Sequence, residues 1–336
     1  MRKIAVLSGD GVGPEVIDAS MRVLNATADG LEFVHADIGM SAYSKHEQYL
    51  PSETLDAINE CEAILMGTII DKRDDRLYRS PNLALKKQLG LFANIRPFAP
   101  LCDDIGFKGI DTIMVRENSE GMYTMAEIED LDGVTLERRV SIKGCRRICR
   151  MALKMASLKG RKKITCAHKA NVFTASDGLF KDIFYEEMTG SPYAINDVRA
   201  DKLAAEYILT PGEIDLVVTL NLYGDIISEE VSALVGGTYL TPSGNLGDDM
   251  GLFEPMHSAQ PDLAGQDRVN PTSSILSAAM MLDFLGMKSR GDIIRRSVRE
   301  AYAKMERTAD VGGSMGTRDF AERVAKYCEA APDRDL

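Results

Sequence analysis

Clustered cysteines and histidines are what this sequence most clearly lacks. Six cysteines are spread along the 336 residues without a CxxC pair, and only four histidines accompany them. Since zinc sites are built from closely spaced cysteines and histidines, we do not expect a zinc site. Isolated cysteines are also typical of proteins whose thiols stay reduced, as they do in the cytoplasm.

Long hydrophobic runs are missing as well. No run approaches the about 20 apolar residues that cross a bilayer, and the apolar stretch at the start of the chain ends at Leu7. A secretory signal needs a longer stretch, so this segment is predicted to be a β-strand. We therefore expect a cytoplasmic protein without membrane contact.

Positive charge is in deficit, because 40 Lys and Arg oppose 51 Asp and Glu and leave a net charge of −11. An acidic protein is a poor candidate for binding nucleic acid or an anionic membrane through its overall charge. If the ligand is a small anion, local arginines and lysines must hold it against the field of the whole molecule.

What the sequence does contain is an alternation of strand-like and helix-like segments. Residues 3–7, 33–38 and 63–66 are strand-like, and the segments between them have helical character. This order predicts an α/β protein with a largely parallel sheet. A length of 336 residues suggests two domains.

One segment has a charge balance of its own. Residues 138–163 contain eleven Lys or Arg and no Asp or Glu. Ile148, Met151, Ala152 and Met155 fall at helical spacing, which predicts an amphipathic helix with a solvated basic side. A binding site for an anion or effector is the alternative.

Two short motifs point to chemistry without settling it. In GDGVGPE (9–15) the glycines do not match the GxGxxG dinucleotide fingerprint, so a classical Rossmann dehydrogenase is only weakly supported. In NLYGDIISEE (221–230), Asp225 and Glu229 are four residues apart and share a face if the segment is helical. Such a pair offers oxygen ligands to Mg²⁺ or Mn²⁺, although this spacing is also common on helix surfaces.

Taken together, seven motifs resemble those of the β-decarboxylating dehydrogenases, the isocitrate, homoisocitrate and 3-isopropylmalate dehydrogenase family. They follow one another along nearly the whole chain: GDGVGPE (9–15), LFANIRP (91–97), VRENSEGMY (115–123), AHKANVF (167–173), NLYGDIISEE (221–230), FEPMHSAQPDLAGQDRVNP (253–271) and GGSMGT (312–317). The resemblance implies the two-domain, isopropylmalate dehydrogenase-like α/β fold with a non-Rossmann dinucleotide site. The large domain would comprise residues 1–91 and 237–336 with the cofactor loop. The small domain, residues 92–236, would hold the metal site and the dimer interface.

The resemblance also implies an NAD-linked, metal-dependent reaction in which a 2-hydroxy acid is oxidised and loses CO₂. Lys169 would deprotonate the substrate hydroxyl, and Tyr123 would protonate the enol carbon. Mg²⁺ or Mn²⁺ would be bound by Asp225 and Glu229 together with the partner's Asp201. Because Lys169 would likewise enter the partner's site, the active form would be a homodimer. The substrate-binding residues would be Ser80, Asn82, Lys86, Arg96, Arg116 and Asn171.

The cofactor is implied by the loop that runs from residue 254 to residue 270. Its binding residues would be Glu254, His257, Ser258, Asp262 and Asn270. NADP-dependent members have a lysine and a tyrosine where this chain has Asp262 and Leu263. A carboxylate at that position accepts hydrogen bonds from the ribose hydroxyls and repels a 2′-phosphate, so we expect NAD.

Three departures from the family pattern bear on substrate and efficiency. Lys86 stands where an arginine is usual, Glu229 where an aspartate is usual, and Ser258 begins an unusual SAQ stretch. With Ser80 and Asn82, the chain resembles isocitrate-type members at these positions. This resemblance favours isocitrate or homoisocitrate over 3-isopropylmalate as the substrate. The departures also leave open a catalytically impaired regulatory paralogue that binds a nucleotide or a citrate-like ligand.

Overall fold

The computed structural model describes residues 1–71, 78 and 80–331. Residues 72–77, 79 and 332–336 lie outside the described part, and all of them belong to the predicted large domain. Contacts divide the chain into two compact units. The first comprises Met1–Leu89, Leu101–Gly106 and Gly236–Leu336, and the second Gly90–Pro100 and Phe107–Val235. The chain therefore returns briefly to the first unit at residues 101–106, a crossing that the sequence did not suggest.

Strands and helices alternate over most of the described chain. The strands are β1 (Arg2–Leu7), β2 (Leu31–Ala36), β3 (Ala63–Met66), β4 (Ala93–Phe98), β5 (Thr112–Glu117), β6 (Glu127–Glu129), β7 (Val134–Leu136), β8 (Lys163–His168), β9 (Ala194–Arg199), β10 (Leu216–Thr219), β11 (Pro242–Leu246) and β12 (Gly251–Pro255). The α-helices are α1 (Gly13–Thr27), α2 (Met40–His46), α3 (Ser52–Asn59), α4 (Pro81–Gln88), α5 (Ile142–Lys159), α6 (Ser176–Met188), α7 (Ala200–Leu209), α8 (Asn221–Leu234), α9 (Thr272–Phe284), α10 (Lys288–Ala303) and α11 (Thr317–Ala330). The predicted α/β class is confirmed.

The first unit is built on the strand order β2-β1-β3-β12-β11. β1 runs parallel to β2 and β3, while β12 is parallel to β3 and forms an antiparallel hairpin with β11. β3 and most of β1 are fully buried, as expected for parallel strands covered by helices on both faces. α9 is buried on most sides and joins the apolar core of this unit together with α1, α10 and α11.

The second unit has the strand order β4-β5-β10-β8-β9, in which β4 is antiparallel to β5 and the others are parallel. α5 is the predicted amphipathic helix. It begins where the Ser141 hydroxyl accepts a hydrogen bond from the Gly144 N–H and ends at Gly160 in the left-handed conformation. No helix among the described residues is long and apolar enough to cross a membrane.

The basic side of α5 contacts acidic residues of the same chain. Arg146 forms ion pairs with Glu186 and Glu187, both at 2.7 Å, and Arg150 also pairs with Glu187 at 2.7 Å. The predicted apolar face of α5 is buried. Two cations of the basic segment, Arg146 and Arg150, therefore bind α5 to α6.

Candidate active site

The predicted arginines and metal ligands of the second unit meet around Asp225. Arg116 lies near the end of β5, Arg96 on the neighbouring β4, and Asp225 in the first turns of α8, which directly follows β10. The carboxyl ends of parallel strands are where α/β proteins place polar side chains that bind ligands. The carboxyl end of β5 thus brings Arg116 to the start of α8, and Arg96 joins them from the antiparallel strand β4, where it lies opposite Met114 of β5.

Asp225 contacts three of the predicted residues. Arg116 Nη1 lies 2.5 Å from Asp225 Oδ1, and Arg96 Nη2 lies 3.7 Å from the same oxygen. The Tyr123 hydroxyl donates a hydrogen bond to the other oxygen, Oδ2. We call Arg96, Arg116, Tyr123 and Asp225 the Asp225 cluster. Glu229 follows one turn later on α8 and is exposed.

Two residues without a predicted role hold Arg116 in place. Asn221 accepts hydrogen bonds from Arg116 Nε through its backbone oxygen at 3.0 Å and from Arg116 Nη2 through its side-chain oxygen at 2.7 Å. Gly224 lets α8 approach, because a Cβ there would lie 2.6 Å from Arg116 Cγ. Both residues belong to the NLYGD motif, so their positions in the sequence were a usable signal.

Tyr123 is a protonated donor at this site. Partial burial raises the pKa of Tyr123 to about 12, and the hydrogen bond to the Asp225 carboxylate adds to the effect. The phenol therefore keeps its proton throughout the neutral range, with Arg116 5.1 Å from its ring centre.

Lys169 and Asp201 form a second group in the same unit. Lys169 follows β8, Asp201 lies in the first turn of α7, and the Lys169 ammonium donates a hydrogen bond to the Asp201 carboxylate. This contact holds the pKa of Asp201 below its usual range. Asn171 is exposed in the turn after Lys169. Among the described residues, no three His, Cys, Asp or Glu side chains gather as a metal site would require.

In the first unit, predicted substrate and cofactor residues meet at Glu254. Lys86 Nζ lies 2.5 Å from Glu254 Oε1, and both side chains are nearly buried. Asn82 donates to Oε2 at 3.2 Å, and Asn245 of β11 donates to Oε1 at 2.8 Å. These four residues form the Glu254 cluster. Asn245 was missed because a lone asparagine in a strand carries no motif. Ser80 precedes α4 at its N-terminal cap position.

The predicted cofactor loop surrounds a neutral histidine. His257 is stacked on Tyr239 with ring centres 4.3 Å apart, and burial lowers the pKa of His257 to about 4. Its Nδ1 is 3.0 Å from the Ser258 carbonyl, an arrangement in which Nδ1–H donates and Nε2 is the acceptor. Within the described part of the chain, this buried Nε2 has no hydrogen-bond partner.

The remaining loop residues differ in exposure. Asp262 is exposed in a short 3₁₀ turn, and Ser258 accepts a hydrogen bond from the Gln260 side chain at 3.0 Å. Asn270 is buried and donates to the Tyr302 hydroxyl at 3.1 Å. Of these residues, Asp262 is therefore the one whose carboxylate faces solvent.

The unusual glycine motif braces this loop. The N–H of Val12 donates to the Ala259 carbonyl at 2.8 Å. Gly11 has φ of +59°, and a Cβ there would collide with the same carbonyl. Gly11 thus serves close backbone packing between the first turn and the loop, whereas Gly9 and Gly13 pack against the backbone of Thr68 and Ser8.

Comparison with known proteins identifies the family. The family model described as isocitrate/isopropylmalate dehydrogenase matches residues 3–324. A homoisocitrate dehydrogenase of Methanocaldococcus jannaschii is 37% identical, covering 97% of this chain and 98% of the relative. A 3-isopropylmalate/3-methylmalate dehydrogenase of the same organism is 40% identical over the same shares.

The fold agrees with this result. The crystal structure of isocitrate dehydrogenase from Methylococcus capsulatus superimposes with a TM-score of 0.93 at 34% identity, covering 98% of this chain and all of that one. The resemblance drawn from the seven motifs is thereby confirmed. The chain belongs to the isocitrate/isopropylmalate dehydrogenase family and is a β-decarboxylating dehydrogenase, an oxidoreductase that acts on the CH–OH group of a small-molecule substrate.

Proposed function

We propose that this enzyme catalyses the NAD-dependent oxidative decarboxylation of a (2R,3S)-type 2-hydroxy di- or tricarboxylic acid, with isocitrate or homoisocitrate as the favoured substrate. The observation that carries the proposal is the convergence of Arg96, Arg116 and Tyr123 on Asp225. Two nearly buried guanidinium groups lie beside the Asp225 carboxylate there. Guanidinium groups are well suited to bind the carboxylates of an anionic ligand.

The two arginines suit substrate carboxylates in particular. A planar guanidinium binds a carboxylate through two parallel hydrogen bonds, which fixes orientation as well as charge. Arg116 is already oriented by Asn221. An anion that engages Arg116 would displace Asp225 from Nη1 and so release the Oδ1 oxygen of Asp225 from that bond.

The family uses a divalent metal and a nicotinamide cofactor. Asp225 and Glu229 offer the carboxylate oxygens that Mg²⁺ and Mn²⁺ prefer, and we propose that the partner's Asp201 completes the set. When bound, the metal acidifies the substrate hydroxyl and stabilises the negative charge left by the loss of CO₂. We propose Asp225 for this role because its two oxygens, which bind Arg116 and Tyr123 here, could bind a cation in place of one of these partners.

Two side chains would move protons. Lys169, in its neutral amine form, would take the proton of the substrate hydroxyl as the hydride leaves for the cofactor. Tyr123 would then protonate the carbon that has lost CO₂. A phenol whose pKa is raised to about 12 is protonated when the reaction begins and therefore suits the donor role.

His257 and Asp262 support a nicotinamide dinucleotide, and NAD in particular. The buried His257 Nε2, which lacks a partner among the described residues, is an acceptor suited to an amino or hydroxyl group of the nucleotide. The exposed Asp262 carboxylate can accept hydrogen bonds from ribose hydroxyls and would repel a phosphate.

A homodimer with shared active sites completes the proposal. Large apolar side chains of the second unit are exposed on the β6–β7 hairpin and on α8, among them Ile128, Val134 and Ile226, which are 56%, 63% and 61% exposed. Exposed apolar patches are typical of protein–protein interfaces. A second copy of this chain is the proposed occupant.

3-Isopropylmalate is the alternative substrate. Leu83 of α4 lies beside Asn82 and is 38% exposed, so it offers an apolar contact for an isopropyl group. One assay tests these readings: purified enzyme with Mn²⁺ and NAD⁺ is given isocitrate, homoisocitrate or 3-isopropylmalate, and NADH formation is followed by absorbance. We expect the highest kcat/KM with isocitrate or homoisocitrate. A preference for 3-isopropylmalate would reverse the substrate assignment, and inactivity on all three would contradict the proposed reaction.

A further inference from the structure

A fully buried carboxylate, Asp177, lies in the first turn of α6. Its Oδ1 pairs with Arg138 Nη1 at 2.6 Å, and its Oδ2 accepts hydrogen bonds from the Lys169 backbone N–H at 2.7 Å and from the Tyr223 hydroxyl at 3.0 Å. Burying a carboxylate is costly unless it is paired and hydrogen-bonded. Both oxygens of Asp177 meet that condition, through partners on separate segments of the chain.

The contact with Lys169 acts on the backbone. Lys169 is the first residue after β8, and its carbonyl oxygen accepts hydrogen bonds from the N–H groups of Val172 and Phe173, both at 2.9 Å. With Asp177 holding the N–H, both main-chain polar groups of Lys169 are bound. The point from which the lysine side chain departs is therefore fixed by Asp177 and by the turn that follows.

Arg138 in turn fixes Asp177. Its side chain is only 14% exposed, and its guanidinium lies 5.1 Å from the ring centre of Phe173 and 5.5 Å from that of Tyr223. A guanidinium that is both paired and stacked on aromatic rings has a geometry that lysine does not reproduce. Arg138, the first cation of the basic segment 138–163, is thus bound to Asp177.

Tyr223 connects the same carboxylate to α8. It stands two residues before Asp225, and its hydroxyl donates a hydrogen bond to Asp177 Oδ2 at 3.0 Å. Asp177 therefore contacts both the turn that carries Lys169 and the helix that carries Asp225. α8 is also held by the bonds between Arg116 and Asn221, whereas the Lys169 N–H is held by Asp177.

We propose that Asp177 is a positioning residue for Lys169 and that, in the dimer, it serves the active site of the partner subunit. The inference rests on the proposed function, in which Lys169 enters the partner's site. Asp177 would act at a distance from the reacting atoms by setting where the Lys169 side chain begins. Even a small misplacement of a catalytic group lowers the rate of the chemical step, and it does so more than it weakens substrate binding.

The first test is Asp177→Asn, which keeps the shape and removes the charge. We expect kcat to fall at least about tenfold, while the substrate KM and the Kd for NADH, measured by fluorescence, change less than about twofold. Asp182→Asn, an exposed carboxylate on the same helix, is the matched control and should leave kcat unchanged. An unaltered kcat in Asp177→Asn would refute the proposal.

Mixed dimers separate this role from general destabilisation. In a reference dimer, one subunit carries Lys169→Ala and the other Tyr123→Phe, so one site keeps both groups. About half of the wild-type activity is expected from that site. An inactive reference dimer would contradict the shared sites of the proposed function, and not the role of Asp177.

Asp177→Asn is then added to either subunit of the reference dimer. On the Tyr123→Phe subunit it lies beside the Lys169 of the intact site, and we expect at least about a tenfold loss. On the Lys169→Ala subunit it lies beside α8 of the intact site, and activity should stay within about twofold of the reference. Equal losses in both dimers, a loss in the second alone, or no loss in either would overturn the proposal. Melting temperatures of both dimers check their folding.

Discussion

The Asp225 cluster of the second unit and the Glu254 cluster of the first are both built on one carboxylate that faces cations. In the Asp225 cluster the cations are arginines, and Arg116 is clamped from behind by Asn221. In the Glu254 cluster the cation is Lys86, a point charge on a flexible stem, and two asparagines bind the carboxylate instead. Arg116 is held in a fixed direction, whereas Lys86 has Glu254 as its partner among the described residues.

This difference has a consequence for anion binding. A substrate carboxylate that meets Arg116 finds a planar donor already oriented, and only the bond to Asp225 must be exchanged. A carboxylate that meets Lys86 must compete with Glu254 for a single ammonium group. We therefore expect Arg116 to contribute more to substrate binding than Lys86, although the net charge of the two is the same.

Replacing the planar guanidinium of Arg116 with the single ammonium group of lysine should have the largest effect on kcat/KM. Arg116→Lys replaces three nitrogens that bind Asn221 and Asp225 with one ammonium group, which cannot reproduce the planar arrangement of donors. We expect kcat/KM to fall about 100-fold, as expected when one or two charge-assisted hydrogen bonds are lost. Steady-state kinetics with the preferred substrate measures it. A loss smaller than that caused by Lys86→Ala would reverse the ranking of the two clusters.

The exposed carboxylate of Asp262 should determine whether the enzyme uses NAD⁺ or NADP⁺. Replacing Asp262 and Leu263 with Lys and Tyr removes the group that would repel a 2′-phosphate and supplies a cation. We expect kcat/KM for NAD⁺ to fall and that for NADP⁺ to rise, each by about tenfold. Equilibrium binding of NADH and NADPH provides a second readout. If neither cofactor responds, Asp262 does not face the adenosine ribose.

Replacing Lys86 with the arginine that is usual at this position should have a smaller effect, and it should strengthen substrate binding instead of weakening it. Lys86→Arg can keep one nitrogen on Glu254 and present another to the substrate. We expect the substrate KM to fall about three- to fivefold with kcat changed less, since the lysine already supplies the charge and the arginine adds one further hydrogen bond. Glu254→Gln, measured beside it, shows whether competition for Lys86 is the cause. An unchanged or raised KM in Lys86→Arg would remove Lys86 from substrate binding.

Most of the fold followed from the sequence, because strands β1, β3 and β10 are apolar runs whose burial is encoded locally. The site was predicted less completely. Motif residues such as Arg116 and Tyr123 were identified by their pattern, but Asn245 and Asp177 act through contacts between distant segments, which periodicity does not encode. The return of residues 101–106 to the first unit is likewise a tertiary feature without a local signal.

The smallest effect concerns stability and involves His257, a buried neutral side chain, in contrast to the charged groups of both clusters. Its pKa is lowered from 6.5 to about 4 in the folded state, so between these values the unfolded chain binds more protons. The resulting stabilisation is complete above pH 6.5 and is lost as the pH falls towards 4. His257→Phe keeps an aromatic ring against Tyr239 but cannot titrate. We expect the melting temperature of the wild type to drop between pH 6.5 and 4 by a few degrees more than that of His257→Phe. Parallel curves for the two proteins would mean that His257 is protonated as readily in the folded chain as in the unfolded one.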